Sequence, residues 1–211
     1  MARLVVFDMD GVLADAESSW VYVHQHFGVD NEDSLHAYLK GEIDDLEFIR
    51  RDIALWKNIE PEISEERVRQ VLGGVKLMPG AARTVKELRE SNVRTAIVSA
   101  GIDLLSERIA QDLGIDLHLA NGLKTDSRGR LSGEGILRVK LMDKGDAVVE
   151  AMRRLEVKPT DTVSVGNSRH DISMFRKTGK GIAFRPMDDA VRTNADFVVD
   201  EKKLTAILDF V

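Results

Sequence analysis

Two aspartates near the amino terminus directly follow an apolar run. The segment reads Leu-Val-Val-Phe-Asp-Met-Asp-Gly, so Asp8 and Asp10 come at the end of a predicted buried strand. Side chains alternate along extended backbone, which sends both carboxylates to the same side. Two like charges held together are unfavourable without a cation, and hard divalent ions such as Mg²⁺ prefer oxygen ligands. The pair therefore predicts a metal site, with a loop carrying two solvated acids as the alternative.

Two further segments carry groups that suit phosphate binding. Ser99, Ala100 and Gly101 follow a second predicted strand, and we expect a helix to begin near Gly101. That arrangement would offer a hydroxyl and backbone N–H groups at the positive end of a helix dipole. Lys144 stands at the start of another predicted helix, where the dipole does not favour a cation. A functional lysine and an exposed surface lysine are both open interpretations.

The order of predicted elements indicates where these segments meet. Short apolar or β-branched runs predict strands at 4–7, 94–98, 116–120, 162–165, 181–184 and 197–199. Helical patterns separate most of them, which is typical of an α/β fold with a doubly wound, mainly parallel, Rossmann-like sheet. Ligands bind such sheets at the carboxyl ends of the strands. The loop after the fourth of these runs would bring Asn167 and Asp171 to the same edge.

The interval between the first two strands is long and has no convincing strand of its own. Apolar residues such as Trp20 and Val23 instead recur at helical spacing. We therefore predict a helical cap domain of residues 15–77, inserted after the first strand into a core domain of residues 1–14 and 78–211. Both tryptophans of the insertion are expected to be core residues of the cap. Residues 124–135 are expected to form a small hairpin.

The amino-acid composition limits the kinds of partner that we expect this protein to bind. The formal net charge of −6 argues against a nucleic-acid surface, since phosphate backbones are bound by clustered lysine and arginine. The chain has no cysteine, which excludes disulfides and thiolate metal sites. No stretch approaches the roughly 20 apolar residues of a membrane span, and the short amino-terminal apolar run does not read as a signal peptide. We expect a cytoplasmic protein that binds a small molecule, with a homodimer as an open possibility.

The acid pair, the hydroxyl, the lysine and the amide-plus-acid loop occur in a chain order that resembles the haloacid dehalogenase superfamily of phosphohydrolases. The helical insertion, the hairpin and the stretches at 161–166 and 171–175 resemble its phosphoserine phosphatase branch. The resemblance implies an Mg²⁺-dependent phosphoric monoester hydrolase that acts on a small phosphorylated metabolite through an aspartyl-phosphate. Phosphoserine is the leading substrate on this basis.

Each candidate residue has a chemically consistent role in such a reaction. Asp8 would attack phosphorus, and Asp10 would protonate the leaving alkoxide and later activate water. The phosphoryl oxygens would be held by Ser99, the N–H groups of Ala100 and Gly101, and Lys144. The metal would be held by Asp8 and a backbone carbonyl of Asp10, with Asn167 and Asp171 completing or supporting its shell.

Two positions depart from the pattern of the resembling family. Asn167 stands where relatives carry a metal-binding aspartate, so a catalytically weakened phosphate or phosphometabolite-binding protein is the alternative function. Glu17 matches a glutamate that receives the substrate ammonium, whereas Asp52 stands where an arginine would hold the substrate carboxylate. We expect Glu17 and Asp52 to form a pocket that favours an ammonium over a carboxylate. His170 is expected either to contact phosphate or to be solvated.

Overall fold

The computed structural model describes residues 2–211 and is organised around one seven-stranded sheet. The strands are β1 (Leu4–Phe7), β2 (Arg94–Ile102), β3 (Leu117–Thr125), β4 (Leu131–Ile136), β5 (Thr162–Gly166), β6 (Lys180–Phe184) and β7 (Phe197–Val199). Their order is β4-β3-β2-β1-β5-β6-β7, and every neighbouring pair is parallel except the antiparallel pair β3 and β4. The predicted α/β fold with a mainly parallel sheet is confirmed.

Helices fill the connections between the strands. Those between β1 and β2 are α1 (Ser19–Phe27), α2 (Glu32–Leu39), α3 (Asp45–Ile59), α4 (Glu65–Leu72) and α5 (Ala81–Glu90). Those that follow are α6 (Asp103–Leu113), α7 (Gly145–Arg154), α8 (Ile172–Phe175) and α9 (Asp189–Asn194). Short 3₁₀ helices occur at Pro159–Asp161, Arg169–Asp171 and Leu204–Phe210. None of these helices is long and apolar enough to cross a membrane, as far as residues 2–211 are concerned.

The central strand explains the apolar run at the start of the sequence. All residues of β1 are fully buried, because helices cover both faces of the sheet. Val5 and Phe7 belong to one hydrophobic core, and Leu4 and Val6 belong to the core on the opposite face. The chain therefore emerges from the middle of the sheet at Asp8, which fixes the position of this side chain within the fold.

Helices α1 to α4, which lie between β1 and α5 in the chain, form one helical body beside the sheet. Its outgoing and returning connections meet in an antiparallel bridge between Ala14 and Leu77. Helix α3 begins after Asp44, whose carboxylate accepts a hydrogen bond from the Glu47 N–H at 2.8 Å. The division into a core domain and a cap of residues 15–77 stays a prediction, and this bridge lies at its boundary.

Strand β2 is longer than the sequence pattern indicates. It continues through Ser99 to Ile102, and α6 begins at Asp103 instead of near Gly101. The pairing of β2 with β3 shifts register between Val98 and Ile102, so the chain keeps an extended but irregular course there. Strand β3 likewise extends to Thr125 and pairs with β4, which confirms the predicted hairpin.

Candidate active site

A cavity of about 350 Å³ opens at the carboxyl ends of β1, β2 and β5. The sheet side of its lining consists of Asp8, Asp10, Ser99, Ala100, Gly101, Leu141, Lys144, Asn167, Ser168 and His170. The helical side contributes Glu17, Ser18, Trp20 and Leu35, and Met187 follows β6. The structure thus brings together the residues that the sequence analysis selected from four separate segments. Asp171 lies directly behind them and is fully buried.

Asp8 is held by both backbone and side-chain contacts. Its N–H donates to the Val165 carbonyl at 2.9 Å, and the residue is only 3% exposed. The Oδ1 atom accepts a hydrogen bond from the Met9 N–H at 2.7 Å and lies 2.7 Å from Lys144 Nζ. Burial and the nearby Asp171 raise the pKa of Asp8, and the Lys144 ammonium opposes that rise. A further positive charge beside Asp8 would keep it ionised.

Lys144 is a buried cation, so the interpretation as an exposed surface lysine is wrong. Its side chain is 4% exposed and its Nζ lies 2.6 Å from Asp171 Oδ1 as well as against Asp8. Burial disfavours the ammonium, but attraction to Asp171 and Asp8 outweighs this and raises the pKa of Lys144. The Lys144 N–H donates to Ser173 Oγ at 2.9 Å, which ties the start of α7 to α8. Lys144 is therefore a fixed positive charge at the floor of the cavity.

Asp171 holds the loop after β5 in place. Its Oδ2 accepts hydrogen bonds from the N–H groups of Asn167 and Ser168 and from Ser168 Oγ, each at 2.9 Å. Its Oδ1 accepts from Lys144, and these bonds lower the pKa of Asp171 despite its burial. Because both oxygens are engaged, a direct bond to a metal would break this arrangement. Of the two roles left open by the sequence, ligation of the metal and support of its shell, these contacts favour the supporting role for Asp171.

Asp10 is positioned by Ser19, a residue that sequence reasoning missed. Asp10 Oδ2 accepts hydrogen bonds from the Ser19 N–H at 3.0 Å and from Ser19 Oγ at 2.9 Å. Ser19 Oγ in turn accepts from the Ile102 N–H at 3.0 Å. Asp10 Oδ1 is shielded from water and has no hydrogen-bond partner among residues 2–211. Burial raises the pKa of Asp10 to about 6 although the Ser19 bonds oppose the rise, so this carboxyl can carry or release a proton.

The charges of this cluster fit a divalent cation. The carboxylates of Asp8, Asp10 and Asp171 face a single ammonium, that of Lys144, which leaves negative charge unbalanced in a buried place. Among residues 2–211 no three acidic or histidine side chains surround a common point. A cation would be held by the Asp8 carboxylate, the backbone carbonyl of Asp10 and the neutral amide oxygen of Asn167, oxygen ligands that Mg²⁺ accepts.

Close approach to these groups requires glycine at two positions. A Cβ on Gly101 would lie 2.5 Å from Ser19 Oγ and 2.6 Å from Asp10 Oδ2. Gly11 has a positive φ of 76° and packs against the Asn167 side-chain amide. The N–H of Gly101 donates to Ser99 Oγ at 3.1 Å and is thus already engaged, which differs from the predicted free N–H. That bond leaves the Ser99 hydroxyl proton available for a ligand oxygen.

Trp20 is a buried core residue, as predicted, and it also lines the cavity. Its Nε1 donates to the Ala100 carbonyl at 3.1 Å, and its ring stacks on Trp56 with centroids 5.6 Å apart. Trp56 is fully buried, as predicted for both tryptophans. The Ala100 carbonyl also accepts from Asn121 Nδ2 at 3.1 Å. Asn121 is a polar residue within an apolar stretch of the sequence. That feature could have indicated that its side chain supports the Ala100 carbonyl.

Asp52 does not face the cavity, and the expectation that it shares a substrate pocket with Glu17 is wrong. It is 2% exposed and lies on the buried face of α3. Its Oδ1 accepts from Asn31 Nδ2 at 2.9 Å, and its Oδ2 lies 3.5 Å from His24 Nε2. Asp52 lies on the buried face of α3, and this face packs into the helical body. The side chain of Asp52 is therefore directed away from the cavity.

His170 lies at the rim of the cavity and is half-buried. Burial and the Lys144 ammonium lower the pKa of His170, which favours the neutral imidazole. Neutral imidazole can donate one hydrogen bond to a ligand oxygen without adding charge.

The fold, the cavity at the carboxyl ends of parallel strands and the buried aspartate–lysine pair are those of a phosphohydrolase-type α/β enzyme. The sequence profile of the family described as haloacid dehalogenase-like hydrolase matches residues 5–176. The chain therefore belongs to the haloacid dehalogenase-like hydrolase family. The prediction of an enzyme, a phosphoric monoester hydrolase of this family, is confirmed.

The relatives specify the branch that the chain resembles. A phosphoserine phosphatase of Archaeoglobus fulgidus is 30% identical over 210 residues, which are 97% of this chain but only 58% of that protein. A phosphoserine phosphatase of Wolinella succinogenes is 29% identical over 211 residues, 98% of each chain. A solved structure described as a phospho-aspartyl intermediate analogue of phosphoserine phosphatase is 26% identical with a TM-score of 0.81, covering 100% of this chain and 99% of the other. The resemblance to the phosphoserine phosphatase branch is confirmed.

Proposed function

We propose that this protein hydrolyses a small phosphate monoester with Asp8 as the nucleophile, through an aspartyl-phosphate. The observation that carries the proposal is the buried contact of Asp8 with Lys144, 2.7 Å apart at the floor of a cavity of about 350 Å³. The similar structure of a phospho-aspartyl analogue supports the same chemistry. A nucleophilic carboxylate at a strand end splits one difficult displacement into two easier ones.

Asp8 and Asp10 act in both halves of the proposed reaction. In the first, an oxygen of Asp8 forms a bond to phosphorus, the ester oxygen leaves with its electron pair, and protonated Asp10 supplies a proton to it. In the second, ionised Asp10 removes a proton from water, the resulting hydroxide attacks phosphorus, and the Asp8 carboxylate leaves. Asp10 suits this alternation because its pKa is raised to about 6.

The negative charge of the transferring phosphoryl group is met by fixed donors. Lys144 and the Ser99 hydroxyl would hold its oxygens without moving at the moment of reaction. Mg²⁺, held by the Asp8 carboxylate, the Asp10 backbone carbonyl and the Asn167 amide oxygen, would supply neutralisation of phosphoryl charge. Asp171 would keep Lys144 and the Asn167 loop in position.

The test is a phosphate-release assay on phosphorylated metabolites with added Mg²⁺, run on the natural protein and on Asp8→Asn. The amide has nearly the same shape but is a poor nucleophile, so we expect turnover to fall by roughly 10³-fold or more while the melting temperature is kept. The natural protein should also form a phosphoprotein that hydroxylamine cleaves. Retained turnover in Asp8→Asn would refute covalent catalysis by this residue.

The neutral amide of Asn167 makes a phosphate-binding protein with little turnover the second candidate. In that case the natural protein would bind phosphate esters in the presence of Mg²⁺ without releasing phosphate from any of them. The cytoplasmic location and the homodimer stay predictions.

A further inference from the structure

Two buried tryptophans form a stacked pair between the helical body and the cavity. Trp20 and Trp56 are the only tryptophans of the chain, and their ring centroids lie 5.6 Å apart with the planes 20° from parallel. Trp56 is fully buried, and its Nε1 donates to His24 Nδ1 at 2.7 Å. Trp20 lines the cavity, and its Nε1 donates to the Ala100 carbonyl at 3.1 Å. The pair therefore connects a buried histidine of the helical body to the segment 99–101 at the end of β2.

The contacts of His24 hold the stacked pair in one orientation. An indole nitrogen only donates, so His24 Nδ1 carries no proton and the ring proton lies on Nε2. His24 Nε2 lies 3.5 Å from Asp52 Oδ2, and Asp52 Oδ1 accepts from Asn31 Nδ2 at 2.9 Å. His24 and Asp52 are each 2% exposed. A buried ring with a hydrogen bond at one nitrogen and a carboxylate facing the other has little freedom to rotate, so His24 fixes Trp56, on which Trp20 stacks.

The Ala100 carbonyl sets the direction of the next backbone N–H group. The part of the chain that the structure describes has no cis peptide bond, so the Ala100 carbonyl and the Gly101 N–H point in opposite directions from one rigid plane. The carbonyl accepts from two donors, Trp20 Nε1 of α1 and Asn121 Nδ2 of β3, both at 3.1 Å. The Gly101 N–H donates to Ser99 Oγ at 3.1 Å. Because this bond uses an acceptor position of the hydroxyl, the Ser99 proton is directed to a ligand oxygen.

We propose that Trp20 is a positioning residue for the proposed hydrolysis, on which this inference rests. Its indole N–H holds the Ala100 carbonyl, and the rigid peptide plane thereby orients the Ser99 hydroxyl towards the phosphoryl oxygens. His24 keeps the Trp20 ring in place through the stacked pair. In this role Trp20 acts on the phosphoryl group only through Ser99.

A double-mutant cycle of Trp20→Phe and Ser99→Ala tests the proposal with p-nitrophenyl phosphate and Mg²⁺. Phenylalanine keeps an aromatic ring against Trp56 but has no N–H donor. We expect Trp20→Phe to lower kcat/KM about tenfold in the natural protein and less than about twofold in Ser99→Ala, where no hydroxyl is left to orient. Equal losses in both backgrounds would show that Trp20 acts independently of Ser99. A loss of less than about twofold in the natural protein would refute the positioning role.

Binding of orthovanadate with Mg²⁺, measured by calorimetry, repeats the cycle without turnover. Vanadate adopts the five-coordinate geometry of a phosphoryl group in transfer, so its affinity depends on the same hydroxyl. Its Kd should rise about tenfold in Trp20→Phe and change less than about twofold when Trp20→Phe is added to Ser99→Ala. If the natural protein releases no phosphate from any ester, the proposed hydrolase function fails. Additive losses in the vanadate cycle would refute the positioning role alone, so the two failures are distinguishable.

His24→Leu and His24→Asn test the histidine. Leucine leaves Trp56 Nε1 without an acceptor, whereas the asparagine side-chain oxygen can take the place of Nδ1. Stacked indole rings give a coupled circular-dichroism signal, and the chain has no other tryptophan to obscure it. In His24→Leu we expect this signal to fall by about half or more and kcat/KM to fall roughly fivefold, and His24→Asn should restore most of both.

His26→Leu is the matched control for this substitution. His26 lies on the same helix α1, is exposed, and contacts Arg67 and Phe27 instead of the stacked pair. The control should keep both the dichroism signal and kcat/KM. An unchanged signal in His24→Leu would refute the role of His24, and a lost signal with unchanged kcat/KM would refute the connection from the stacked pair to Ser99.

Discussion

At the scale of single residues, the two aspartates of the opening motif differ because of their partners. Asp8 contacts an ammonium, whereas Asp10 is held by the neutral donors of Ser19 and keeps an unpartnered oxygen. Lys144 lowers the pKa of Asp8, but burial and Asp171 outweigh it and raise that pKa to about 7, whereas burial raises the pKa of Asp10 to about 6. The proposed nucleophile therefore depends on a bound cation to stay ionised, and the proposed acid and base is a carboxyl whose proton is readily exchanged.

Asp10→Asn should make the rate depend steeply on the leaving group. The amide cannot donate the proton that an alkyl ester oxygen needs, but an aryl oxygen leaves with little assistance. We expect losses of about 10²-fold or more with propyl phosphate and a much smaller loss in aspartyl-phosphate formation with p-nitrophenyl phosphate. The rate of the initial burst of p-nitrophenol measures how fast the aspartyl-phosphate forms. Equal losses in formation with both esters would contradict a general-acid role for Asp10.

Asn167→Asp should lower the Mg²⁺ concentration needed for half-maximal activity. The substitution keeps the shape of the side chain against Gly11 and adds a negative charge beside the proposed cation. The rate at saturating Mg²⁺ is not expected to rise, because a more neutralised ion withdraws less charge from phosphate. The test measures phosphate release by the natural protein and by Asn167→Asp as the Mg²⁺ concentration is raised. Superimposed curves would mean that Asn167 does not bind the metal.

At the scale of elements, α3 shows how a helix face decides the role of an acidic residue. Asp52 falls on the face that also buries Ile49, Ile53 and Trp56, so its carboxylate is directed into the helical body. There it accepts from Asn31 and faces His24, whose Nδ1 accepts from Trp56 Nε1 at 2.7 Å. Asp52 thus contributes to the rigid packing behind Trp20 instead of contacting a substrate.

Asp52→Arg should destabilise the protein without improving phosphoserine turnover. It would bury an uncompensated guanidinium and leave Asn31 without its acceptor, at a cost of about 3–5 kcal/mol in the free energy of unfolding. Asp52→Asn, which keeps an acceptor for Asn31, should cost only about 1 kcal/mol. Urea unfolding of the two variants measures this difference. A stable Asp52→Arg protein with improved turnover of phosphoserine would show that this side chain reaches the substrate.

At the scale of the whole molecule, one arginine joins the returning end of the helical insertion to the sheet-bound helix α6. Arg108 Nη1 donates to the carbonyls of Leu72 and Gly73, both at 2.9 Å, and its Nη2 donates to that of Val75 at 2.7 Å. Planar guanidinium can serve three carbonyls at once, which an ammonium on a flexible stem cannot do with the same geometry.

Arg108→Lys should therefore loosen the insertion more than the sheet. We expect a loss of about 1–3 kcal/mol in the free energy of unfolding. Amide hydrogen exchange should be faster in α4 and the segment 73–77 and unchanged in β1. Arg89→Lys is the control, because within residues 2–211 the Arg89 side chain donates one hydrogen bond, to the Leu113 carbonyl at 3.3 Å. Uniform acceleration across the molecule in Arg108→Lys would contradict a local role.

Local sequence patterns predicted the alternation of strands and helices, the helical insertion and four of the segments that meet at the cavity. Apolar runs and helical periodicity are local properties, and parallel sheets place their ligands at one edge. These properties marked Asp8, Asp10 and Ser99 as residues at strand ends, and the resemblance to the haloacid dehalogenase superfamily gave them and Lys144 their roles.

The neighbours that each side chain acquires depend on how the complete elements pack in three dimensions. The irregular end of β2 engaged the Gly101 N–H, and the buried face of α3 removed Asp52 from the cavity. Ser19 and Trp20 entered the site because α1 packs across the ends of β1 and β2. Hydrogen bonds between residues 9 or 80 positions apart leave no trace in local periodicity, since they depend on how complete elements pack.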